Sequence, residues 1–193
     1  MSTLASLISS NAGAAALAAH LDAATTEQRL EQTLSLSSRQ QAKLFDVVDR
    51  ALPFALDDLT PKKGAFEGVA HEGRNSLPAF RYFAKVFCVP DAGPAAERWG
   101  YNRNPPFIQS TVGPGYFVAV QHGAHELLID YTLTPPRKPE TWPAIAHKYT
   151  KLSRFVFFGT QDVLRRVSEH VSIGRARRGG KWMDNWFVLC RAA

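Results

Sequence analysis

The chain has 193 residues, 45% of them hydrophobic and 21% charged, with a formal net charge of +6. That balance excludes a disordered chain, and no stretch approaches the length of a membrane span, so one soluble domain over residues 1–193 is expected in the cytoplasm. The positive excess is uneven: residues 1–136 hold 11 basic and 13 acidic side chains, residues 137–193 hold 12 and 4. Clustered Lys and Arg attract phosphates, acidic partners or anionic surfaces.

The N-terminal stretch is apolar, but no Lys or Arg precedes Arg29, and Ser9, Ser10 and Asn11 interrupt it. It reads as helix and not as a leader peptide. Asn11 is placed to cap a helix over Ala12–Ala23. Thr25 with Gln28, and Ser38 with Gln41, have the spacing of capping boxes. The helix after Ser38 puts Leu44, Val47, Val48, Ala51 and Leu52 on one stripe until Pro53 stops it. Residues 1–52 should therefore form a layer of amphipathic helices, with residues 54–63 leading out of it.

Period-2 or solidly apolar runs follow at Phe66–His71, Phe80–Val89, Gly115–Gln121, Glu126–Leu133, Arg154–Phe158, Val171–Arg178 and Trp182–Arg191. The predicted fold class is α+β: N-terminal helices packed on a curved, mostly antiparallel sheet of about seven strands over residues 64–193. Residues 122–125 and Gly179-Gly180 have the length of hairpin joins. One late helix is expected near 160–170, capped by Thr160, with Leu164, Val167 and Val171 on one side and ion pairs Asp162–Arg166 and Arg165–Glu169 on its surface. Pro90–Gly115 and Leu133–Leu152 read as long irregular segments that cover a site. Cys88 and Cys190 each sit in an apolar run, as small buried hydrophobes; a bond between neighbouring strands stays open.

Charged residues stand among large apolar ones in the strands: Arg81 and Lys85 on the side of Phe83 and Phe87, Asp130 beside Leu128. Two readings are open. They are the outward positions of a half-solvated sheet, or they face a pocket enclosed by a curved one. In the second, Tyr82, Tyr101, Asp130, Tyr131 and Arg154 are the polar anchors of a small apolar or amphipathic ligand.

His71 and Glu72 are adjacent on a strand and so point to opposite faces. His122, His125 and Glu126 lack a further ligand at diagnostic spacing, so no metal is expected. The hairpin Arg175, Arg177, Arg178 and Lys181, flanked by Trp182 and Trp186, is a basic ribbon suited to an anion or nucleic acid, or a charged edge that resists aggregation. No GxSxG, P-loop, dinucleotide fingerprint or HExxH is present. No cofactor is therefore expected and catalytic residues stay unassigned. Three functions remain: a small-ligand binder, a binder of nucleic acid or an acidic partner through the basic hairpin, and an enzyme whose pocket site leaves no linear motif.

Overall fold

A computed structural model describes residues 2–78, 81–93, 96–145 and 159–192. The first elements form because side chains close the open ends of short helices. Thr3 and Ser6 make a reciprocal capping box at α1 (Leu4–Ser9), Thr25 and Gln28 at α3 (Thr26–Ser35), and Ser37 and Gln40 at α4 (Ser38–Val47). The Thr25 box falls where the spacing predicts it. Two caps do not: α4 uses Ser37, one residue before the expected Ser38. Likewise α2 (Ala14–Asp22) starts at Gly13, while Asn11 takes a left-handed φ of 61° at the end of α1. Leu4, Ile8, Leu17, Leu21, Leu36 and Leu44 are buried against Val171, Ile173, Val188 and Cys190 of the sheet. Buried Arg29 binds the layer together, donating to the carbonyls of Leu21 and Ala24 at the end of α2.

The sheet closes on itself. Strands β1 (Val69–Asn75), β2 (Tyr82–Cys88), β3 (Glu97–Arg103), β4 (Tyr116–Gln121), β5 (Glu126–Asp130), β6 (Thr160–Arg166), β7 (Val171–Arg178) and β8 (Lys181–Arg191) pair antiparallel in chain order, and β8 returns to β1. The expected curved sheet is thus a closed eight-stranded barrel. Both hairpin joins are found, between β4 and β5 and between β7 and β8.

The late helix expected at 160–170 is instead β6. As a strand it sends Asp162 and Leu164 inward and Val163 and Arg165 outward. Strand pairing with β5 and β7 then outweighs the capping signal of Thr160. The expected helical ion pairs are replaced accordingly: Asp162 meets Lys85, Arg165 meets Asp49 and Glu126, and Arg166 meets Asp58. The segment read as irregular over Pro90–Gly115 holds β3 and a helix, α5 (Pro106–Val112). The expected strand Arg154–Phe158 lies outside the described residues.

Aromatic rings fill the barrel: Phe87 and Phe117 pack edge to face at 5.4 Å, Phe83 and Phe187 at 5.9 Å, and Phe117 and Tyr131 at 5.5 Å. Inward-facing glycines make room for them. A Cβ on Gly100 would meet the Phe117 ring and lie 2.6 Å from the Val86 carbonyl; one on Gly174 would overlap the Phe187 ring.

One end of the barrel is plugged. The chain leaving α4 places Phe54 and a 3-10 turn, Leu56–Leu59, against Phe117, Leu127 and Leu164. Inward-pointing basic side chains at that end clamp the plug by its polar atoms. His71 Nε2 donates to the Leu59 carbonyl at 2.9 Å, Arg191 to the Asp58 carbonyl at 2.8 Å, Arg98 to the Thr60 hydroxyl at 2.8 Å, and Arg166 pairs with Asp58 at 3.3 Å. On the outside of β2–β4, Trp142 from the β5–β6 connection covers Tyr101, Tyr116 and Val86.

Candidate ligand cavity

Opposite the plug the barrel holds a cavity of about 350 Å³. Its walls are mainly the aromatic and aliphatic side chains Phe83, Phe187, Ala176 and Met183, with Ile108 and Val112 of α5 and Leu77 of the β1–β2 turn around the mouth, and the polar Asn75, Asn104, Thr160, Arg178 and Asn185 among them. The floor is different in kind. Lys85, Asn102, Tyr131 and Asp162 project into it from β2, β3, the end of β5 and β6.

These four side chains are fully cross-linked. Lys85 Nζ donates to Asp162 Oδ2 at 3.2 Å, to Asn102 Oδ1 at 3.0 Å, and to the Tyr131 hydroxyl. Tyr131 in turn donates to Asp162 Oδ2 at 3.1 Å, and Asn102 donates through Nδ2 to the Tyr131 oxygen at 3.2 Å and the Gly115 carbonyl at 3.3 Å. The Lys85 ammonium lies 4.9 to 5.6 Å from the ring centres of Phe187, Tyr131, Phe117 and Phe83, so cation–π attraction supplements the ion pair. Burial pulls the Lys85 ammonium below the ordinary lysine range, opposed by the charge and hydrogen bond of Asp162. Burial, and then the Asp162 charge, holds the Tyr131 phenol well above its usual value, so it remains a hydrogen-bond donor at neutral pH.

Of the side chains expected to anchor a ligand, Tyr131 is in the cavity. Tyr101 is on the outer face under Trp142, Tyr82 is exposed on the outside of β2 beside Arg74, and Asp130 faces outward to Thr132 and Gln161. Each was placed by residue type; strand parity decides instead, since even-numbered positions of β2 and odd-numbered positions of β3 point out. Arg154 lies outside the described residues. Of the charged strand residues, Lys85 faces the interior, whereas Arg81 is exposed. Asn102 and Asp162 were not singled out, because one sat in a presumed loop and the other on a presumed helix.

No protein-family profile, characterised protein or solved structure matches the chain.

In the basic hairpin, Arg175 stacks over Trp186 at 4.7 Å and Trp182 at 5.2 Å, donates to the Met183 carbonyl and pairs with Asp184. Arg177 donates to Gln161 and Arg178 to the Thr160 hydroxyl at the cavity mouth, while Lys181 is exposed. Both cysteines are free; burial pushes the Cys88 thiol up to about 12 and Cys190 up to about 11. Among the described residues no three His, Cys, Asp or Glu side chains gather as a metal site. His71 and Glu72 point to opposite faces: the histidine is buried and the carboxylate meets Arg103 across the outside.

Proposed function

We propose that the barrel binds a small, mostly apolar molecule carrying one polar group, with that group set against the Lys85–Asp162 floor. The observation that carries this reading is a charged network buried where packing alone would choose apolar side chains. Taking an ion pair out of water costs several kcal/mol per ion, and well-packed hydrophobes in its place are commonly as stable or more so. A network of this kind at the bottom of an apolar cavity that opens to the surface is the usual composition of a small-molecule site. Among the described residues, Lys85 and Tyr131 both meet Asp162 at Oδ2. Its second carboxylate oxygen is the acceptor offered to a ligand hydroxyl or amide, and the Tyr131 and Asn102 dipoles fix orientation.

Native mass spectrometry of the purified protein, followed by solvent extraction of any adduct, tests this directly. A molecule of a few hundred daltons, retained at one per chain and lost from Lys85→Met and Asp162→Asn variants that still melt cooperatively, is the expected result. Equal retention by both variants would mean that the floor does not hold it.

A further inference from the structure

Because neighbouring strands alternate in direction, the β1–β2, β3–β4, β5–β6 and β7–β8 connections all leave from the open end of the barrel, and the other three from the plugged end. Of the large apolar side chains that stand exposed among the described residues, Leu77, Phe107 and Leu133 lie in the connections of the open end and Tyr82 and Trp182 at the strand starts that follow them, while Ile145 follows Trp142 on the outside of the barrel. Phe107 on α5 is 76% exposed, although its neighbour Ile108 lines the cavity. Large apolar side chains gathered on one surface mark an interaction site; scattered singly they need no explanation.

Cations accompany these side chains. The β1–β2 and β7–β8 turns present Arg81, Arg178 and Lys181 as exposed cations beside Asp184, while Arg103 at the end of β3 is paired with Glu72.

We infer that the open end of the barrel docks on an anionic phospholipid surface. Trp182 and Tyr82 are the residue types that settle at the headgroup level, Phe107 and Leu77 would enter the acyl boundary, and Arg81, Arg178 and Lys181 would face lipid phosphates. The cavity mouth would then open onto the bilayer. Docking does not depend on which molecule the cavity holds, and it stands or falls separately from ligand binding.

Co-flotation of the full chain with extruded vesicles decides the matter. Phosphatidylcholine vesicles containing about a quarter phosphatidylglycerol should carry at least tenfold more protein than pure phosphatidylcholine at low salt, and half-molar NaCl should remove most of that gain. Arg81→Glu combined with Lys181→Glu should abolish the dependence on anionic lipid. Phe107→Ser, at a site exposed enough to leave folding intact, should weaken flotation several-fold at every salt concentration. Equal flotation with neutral and anionic vesicles, or none with either, overturns the inference. So does a salt-sensitive gel shift of a single-stranded oligonucleotide without flotation, which would assign the cations to nucleic acid instead.

Discussion

His71 is the residue whose protonation most directly affects the fold. Burial, against its hydrogen bond to the Leu59 carbonyl, pulls its pKa from 6.5 down to about 4. That bond fixes the proton on Nε2, and a second proton would place a charge beside the clamp arginines. The unfolded chain therefore binds this proton at higher pH than the native one. Stability must fall as pH drops from about 6.5 toward 4, by at most about 3 kcal/mol for the shift at this site. His71→Gln, which keeps a donor for Leu59 but does not titrate, should flatten the urea midpoint over that window; an unchanged slope would place the titration elsewhere. Lys85 makes a different prediction. Lys85→Met or Asp162→Leu alone strands a buried charge and should cost about 3–5 kcal/mol, whereas the double variant should lose clearly less than the sum. Additive losses in urea denaturation would show that the two side chains are not coupled.

Elements were legible to the extent that their signals were local. The Thr25–Gln28 box, the two hairpin joins and the apolar runs of β2, β4 and β8 are written in neighbouring residues and form as expected. β3 was not: Trp99 and Tyr101 alternate with Arg98, Gly100 and Asn102, but it is the polar set that faces inward. Each has a long-range reason: Arg98 clamps the plug, Gly100 admits the Phe117 ring and Asn102 joins the floor. β6 misled because Thr160 and Asp162 imitate a helix start, though their partners are Arg178 and Lys85 on other strands. Of the candidate site, Tyr131 and Lys85 were visible by residue type, and the network that makes them a site was not, since it needs four strands in register. Gly100→Ala must displace the Phe117 ring or the Val86 carbonyl and should destabilise by about 1–3 kcal/mol in thermal or urea denaturation. No measurable loss would mean that the strand relaxes freely around a methyl group.

At the scale of the molecule, one topology explains the division of labour. Antiparallel closure removes the sheet edges and sends alternate side chains inward. The helices then cover the outside of β7 and β8, the Leu56–Leu59 turn seals one end, and the other stays open above a polar floor. Ligand binding requires that open end to be room for a guest. Ala176 lines the cavity wall, so Ala176→Trp fills the space while leaving the floor residues in place. Titration of a fluorescent fatty alcohol into both proteins, followed by ligand-induced change in melting temperature, is the most direct measurement. The structure predicts saturable one-to-one binding that raises the melting temperature of the wild type and is lost in Ala176→Trp; equal binding by both proteins would contradict it.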